Sequence, residues 1–145
     1  MKRFSFPLER VLRWREEQAR LEELRLEQLR ANVAALGEEK RDTALQRMRS
    51  AADVLSQRVV EAGELENLDS YRLHARTKIR DLENRMRQAE AQAAEQRQRV
   101  VEAHRQAELL DRLRSRALGE WQAASDREQE ALAGELYLAN RMRRR

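Results

Sequence analysis

The residues of this 145-residue chain best suited to proton or metal chemistry near neutral pH are His74 and His104. Two imidazoles one helical turn apart could hold zinc, and an imidazole beside a carboxylate could act as a general base. Neither arrangement is present: the two histidines are far apart, and no carboxylate constellation surrounds either. There is no cysteine, which removes thiolate ligands, disulfides and a cysteine nucleophile, and fits a reducing compartment. No glycine-rich phosphate loop and no nucleophile elbow occur. The chain therefore reads as a non-enzyme with no cofactor, no metal and no small-molecule substrate. Charge and apolar patterning remain. Lys and Arg number 30 against 26 Asp and Glu, a net charge of +4. That balance is too even for a nucleic-acid binder, which carries a more lopsided patch. Runs such as Arg13 to Arg20 read as solvated helix faces with i,i+4 pairs.

The elements that carry these charges are set by the stretch from Ala75 to Ala124. Steps of four and three through it give Ala75, Ile79, Leu82, Met86, Ala89, Ala93, Gln96, Val100, Ala103, Ala107, Leu110, Arg114, Ala117, Trp121 and Ala124. All but Gln96 and Arg114 are apolar. Such spacing puts one narrow apolar seam on a long helix, which a second helix must cover. Charged residues make up 39% and aromatics 4%, the composition of long helices and coiled coils. A fold of this kind has no sizeable core and no concave apolar pocket of the enzyme type. No apolar run approaches the ~20 residues of a membrane span. The basic start lacks an apolar signal segment, so a soluble, cytoplasmic protein is expected.

Earlier in the chain, Pro7 fits a first helical turn, with Ser5 as its cap. Phe4 and Phe6 precede that helix, either as a staple upon it or as a docking patch. The seam then runs Leu8, Leu12, Arg15, Ala19, Glu22, Leu26, Leu29, Val33 and Leu36. Beyond Gly37 the apolar frame slips to Ala44, Met48, Ala51, Leu55, Arg58, Ala62 and Leu65. Gly63, Asn67, Asp69 and Ser70 form the densest cluster of turn residues, with Asp69 or Ser70 able to cap the second helix.

The fold expected is all-α: two long helices forming an antiparallel coiled-coil hairpin in a single domain. Its helices span about residues 7–63 and 70–140, joined by a turn at about 64–69 and followed by a basic tail at 141–145. The rod would be about 85 Å long at 1.5 Å per residue. Leu8 and Leu12 would then meet Ala124 and Trp121. The slip at 37–44 would face Ala89, Ala93 and Gln96, making that height the weakest, and Gln96→Leu would stabilise it. Trp14 would point off the seam and Trp121 into it. Past Ala124 the second helix would overhang, exposing Leu132, Leu136 and Tyr137 and then Arg141, Arg143, Arg144 and Arg145. The helix dipole accounts for one or two of those arginines and leaves the others unexplained.

The two ends of the chain resemble those of the flagellar FliJ proteins. The residues are Phe4-Ser5-Phe6-Pro7-Leu8-Glu9-Arg10-Val11-Leu12-Arg13-Trp14-Arg15, and Leu110-Asp111-Arg112-Leu113-Arg114-Ser115-Arg116 followed by Trp121 and Arg127-Glu128-Gln129-Glu130. Where that family carries an acidic pair, this chain has Ala133-Gly134-Glu135-Leu136 and keeps only Glu135. The resemblance implies a stalk-like, chaperone-like component of the flagellar type III protein export apparatus. Such a protein would sit at the cytoplasmic face of the membrane, without spanning it. The partners implied are the flagellar export ATPase ring and the membrane export gate protein, with export chaperones as further partners. The ATPase-binding end would hold Phe4, Phe6, Leu8, Val11, Leu132, Leu136, Tyr137, Arg141, Arg143, Arg144 and Arg145. The gate-binding stretch would hold Tyr71, Ala75 and Leu82.

Three rival readings remain open in the sequence: an injectisome secretion stalk, a generic homodimeric coiled coil, and a coiled coil that binds nucleic acid through the arginine tail. Only Tyr137 could stack on bases near that tail, and the basic patch is short.

Overall fold

The computed structural model describes residues 3–144. Two long helices, α1 (Glu9–Leu55) and α2 (Ala62–Arg143), pack against each other as a helical hairpin, with no strand among the described residues. No helix is long and apolar enough to cross a membrane. The chain divides into two compact units, residues 1–21 with 101–145 and residues 22–100.

The turn lies earlier than the cluster of turn-forming residues suggests. Residues 56–61 make it, and Gly63 to Ser70 lie inside α2. Three local features explain the shift. Ser56 Oγ donates to the Asp53 carbonyl at 3.0 Å, and Gln57 N–H donates to the Val54 carbonyl at 3.4 Å, tightening the end of α1. Val59 and Val60 are β-branched neighbours with low helix propensity. Glu61 caps α2: its carbonyl accepts the Leu65 N–H at 3.3 Å, and its own N–H donates to the Glu64 carboxylate at 3.2 Å. That reciprocal bond is half of a capping box. Leu68, in the middle of the expected loop, is instead buried core. No described residue has a positive φ, so Gly63 serves no left-handed turn.

Within the unit of residues 22–100, the α2 seam is buried or half-buried at every step from Ala75 to Val100. Its partner on α1 keeps one unbroken 3–4 frame: Leu26, Leu29, Val33, Leu36, Lys40, Thr43, Arg47, Ser50 and Val54. The expected slip does not occur. The large apolar residues of the slipped frame point outward, since Met48, Leu55 and Leu65 are exposed. Polar side chains hold the seam in their place. Thr43 is buried because its hydroxyl donates to the Glu39 carbonyl at 2.8 Å. Lys40 pairs with Glu83 at 3.1 Å, and Lys78 with Glu39 at 3.3 Å, crossing between the helices. Gly37 faces Met86, where an added methyl would meet the Met86 Cε at an ordinary 3.8 Å.

Gln96 is likewise not a defect. It is 5% exposed and donates to the Glu22 carbonyl at 3.0 Å and to the Glu22 carboxylate. Since Gln96 meets Glu22 rather than residues 37–44, the two stretches expected to be weak do not face each other. The stabilising effect of Gln96→Leu expected from sequence is therefore reversed. We expect that change to lower stability by about 1–2 kcal/mol, because it strips a bond from a partly buried carboxylate while adding little apolar area. Denaturant titration measures it, and an increased midpoint would show that the bond contributes nothing.

Within the unit of residues 1–21 and 101–145, Leu12, Ala19 and Ala107 form the buried seam. Its polar members are paired as well. Arg114 binds Glu9 at 2.9 Å, and Arg15 donates to Gln106. Phe4 packs on Trp121 with ring centroids 5.9 Å apart. Trp121 was expected opposite Leu12, so the register differs by about two helical turns, as the earlier turn requires. Trp14 is exposed, with the Arg15 guanidinium 4.8 Å from its ring centroid.

Candidate partner-binding surfaces

Among the described residues, no group of three or more His, Cys, Asp or Glu is placed to hold a metal ion. The surfaces that could act are faces for partners, and each unit has its own.

In the unit that contains the chain ends, residues 126–144 are exposed without exception. Because α1 is short and its segment near Phe4 reaches Trp121, the helix beyond Ser125 runs on uncovered. Leu132, Leu136, Leu138 and Met142 are all more than half exposed on it. Helical geometry sorts its side chains into two faces. Leu132 and Leu136 share one, one turn apart. Tyr137 lies about 140° from Leu132 at 100° per residue, and it lines a shallow concavity with Asn140, Arg141 and Arg144. The expected Leu132–Leu136–Tyr137 face is thus an apolar face and a separate tyrosine–arginine face. Arg143 is exposed on the last turn, and Arg145 lies outside the described residues.

The expected convergence of Phe4 and Phe6 with this segment is not found. Trp121, beside Phe4, and Tyr137 are separated by about 24 Å along α2 at 1.5 Å per residue. The amino-terminal residues instead make a second patch. Phe4 and Phe6 are half-buried, while Leu8, Val11 and Trp14 are exposed. The physical cause is the early turn, which lengthens the uncovered end of α2 and draws the start of α1 back along it.

In the unit of residues 22–100, the gate-binding assignment needs correction. Ala75 is 2% and Leu82 1% exposed, so both are core beneath α1 and offer a partner no surface. Only Tyr71 of the three is partly accessible. Near it the sequence reading missed a shallow concavity lined by Arg47, Arg72 and Arg76 with Ala44, Met48 and Ala51. The signal was available in part. Arg72 and Arg76 stand one turn apart on one helix face, but their neighbour Arg47 comes from α1 and depends on the register. No family model, no curated protein and no solved structure matches this chain.

Proposed function

We infer that this chain is a non-enzymatic coiled-coil component of the flagellar type III protein export apparatus. It binds the ring-shaped export ATPase through the uncovered end of α2 and links that ring to the membrane export gate. It works in the cytoplasm at the inner face of the export apparatus, with export chaperones as further partners. The observation that carries this reading is the wholly exposed helical segment of residues 126–144, with its apolar face and terminal arginines. A helix tip of that kind can enter the mouth of a ring while its arginines meet rim carboxylates. The apolar contacts would hold the complex, and the rim charges would mainly speed encounter. The family resemblance of both chain ends supports the same partner. The gate contact is assigned to Tyr71 and the neighbouring arginines, since Ala75 and Leu82 are occupied in holding the helices together.

The test is binding of the full chain to the purified export ATPase. Changing Arg141, Arg143, Arg144 and Arg145 to Gln should weaken binding, most strongly at low salt, where screening is least. Tyr71→Ala should leave ATPase binding intact and impair engagement of the gate. If the intact chain and the ATPase do not associate, the reading is wrong.

A further inference from the structure

The unit of residues 22–100 has a seam contact that its own packing does not explain. Arg47 stands one turn after buried Thr43, and Arg72 lies between buried Leu68 and Ala75, so both occupy inward positions. The cross-helix pairs Lys40–Glu83 and Lys78–Glu39 set the register that brings Arg47 opposite residues 72–76. Arg76 follows one turn after Arg72. The three arginines line one concavity with Ala44, Met48 and Ala51. Among the described residues, none of the three has an ion pair or a side-chain hydrogen bond, although arginines elsewhere on both helices pair repeatedly at i,i+3 and i,i+4. Neither Arg47 nor Arg76 has an acidic residue three or four positions away. Arg72 has only Asp69 and does not pair with it, and Glu83 is taken by Lys40. Like charges one turn apart and across a seam, left without a counter-charge, cost the hairpin stability. Apolar side chains share this flank. At 100° per residue, Ala44, Met48, Ala51 and Leu55 fall within about 100° of Arg47 on one side of α1, and Arg76 and Leu73 within about 100° of Arg72 on the side of α2 that meets it. Met48, Leu55 and Leu73 are all more than half exposed.

We propose that this concavity is the docking site for an acidic amphipathic helix of a partner protein, laid along the groove between α1 and α2. Two carboxylates one turn apart on that helix match Arg72 and Arg76, which are themselves one turn apart, and Arg47 reaches them from the other wall. Ala44 and Ala51 leave a depression two turns long, and an apolar side chain of the incoming helix fills it against Met48, a side chain that adapts to irregular surfaces. Charge and apolar surface thus act on one occupant from one flank. A free phosphate would use the arginines and none of the apolar floor. An anionic membrane across this end of the hairpin would be repelled by Glu61, Glu64, Glu66 and Asp69, which gather beside the turn. Asp69 also limits the acidic run of the ligand, which must end before it reaches that carboxylate. The recognition chemistry comes from the groove itself; only the naming of the partner as the gate protein rests on the export reading above.

Fluorescence anisotropy tests this with the full chain and a labelled synthetic helix of about five turns, carrying paired Glu one turn apart and Leu on the same face. Near physiological salt, where exposed charges act over only about 8 Å, the probe should bind saturably. Changing Arg47, Arg72 and Arg76 together to Gln should weaken it about tenfold or more. The same change at Arg10, Arg99 and Arg105, which are exposed elsewhere, should leave it within about twofold. Met48→Gln should also weaken it, and a probe with Gln for Glu should not bind. Thermal unfolding supplies a second readout: Arg72→Leu should raise the melting temperature while lowering probe affinity, because it removes an uncompensated charge from an inward position. A probe that does not bind overturns the proposal, as do equal losses in the two triple variants or indifference to Met48→Gln. A lower melting temperature for Arg72→Leu would show that the arginine serves the hairpin and not a ligand. Phosphatidylglycerol vesicles bound through the three arginines, with the probe unbound, would give the site to lipid. Probe binding as described with no binding of the purified gate protein would remove only the partner's name; gate binding without probe binding would overturn the groove and leave the export reading standing.

Discussion

Replacing Leu82 by Ala should lower the unfolding free energy of the hairpin by about 2–4 kcal/mol, the range for truncating a buried leucine. Leu82 is 1% exposed and is the largest fully buried side chain among the described residues. Its weight comes from what surrounds it along the seam. Ala19, Ala75, Ala89, Ala93 and Ala107 are also buried, but a methyl contributes little apolar area. Four leucines, Leu12, Leu26, Leu68 and Leu82, supply the large buried side chains. Removing one takes a large share of a stability that is about 5–15 kcal/mol in ordinary domains. Leu73→Ala on the same helix is the control. Leu73 is 64% exposed, so its truncation should shift stability by no more than about 0.5 kcal/mol. Thermal or urea unfolding separates the two. Equal shifts would mean that Leu82 does not anchor the interface.

The α2 seam was legible because its period is long and its apolar members are frequent. From Ala75 to Trp121 every position read from the sequence is buried or half-buried, and only Ala124 falls outside. The α1 seam beyond Gly37 was not legible, because apolarity was the criterion and the seam there is polar. Lys40, Thr43 and Arg47 occupy it through an ion pair, a hydroxyl bonded back to its own helix, and a long aliphatic stem. The turn was misplaced for a related reason. Gly63, Asn67, Asp69 and Ser70 tolerate a helix when Leu68 beside them is buried, and that burial depends on the opposite helix. The less conspicuous stop at Ser56 with Val59 and Val60 decided the reversal. One misplaced turn then propagated. It changed which residues face Trp121, separated Phe4 from Tyr137, and hid the Arg47–Arg72–Arg76 concavity.

The polar residues in the seams act as a set. Glu9 with Arg114 and Arg15 with Gln106 pin one unit; Glu22 with Gln96 and Lys40 with Glu83 pin the other. An alanine-rich seam is nearly uniform along its length and fixes register weakly, since a shift of one heptad buries much the same surface. Cross-helix polar pairs remove that degeneracy, because a shifted register leaves each partly buried group unmatched. This explains why the polar positions recur on the inward face rather than being confined to the outer one.

Removing residues 131–145 should abolish binding to the export ATPase while leaving the melting temperature of the hairpin unchanged to within a few degrees. The two halves of this expectation have different physical origins. Stability should persist because residues 126–144 are exposed without exception, whereas the buried seam residues all lie at or before Ala107 and the Phe4–Trp121 contact is retained. Binding should fail because the deletion takes away Leu132, Leu136, Leu138 and Met142 together with every tail arginine, so neither the apolar hold nor the charge steering remains. The effect should exceed that of neutralising the arginines alone, since exposed charges at a rim contribute mostly to the rate of encounter and desolvated apolar anchors to the lifetime of the complex. Surface plasmon resonance against the immobilised ATPase reads both parts: the arginine variants should slow association with little change in dissociation, whereas the truncated chain should give no signal. Full-affinity binding by a truncated chain that melts normally would transfer the ATPase contact to the Phe4–Trp121 patch. Loss of binding with a collapse in melting temperature would show instead that the segment stabilises the hairpin.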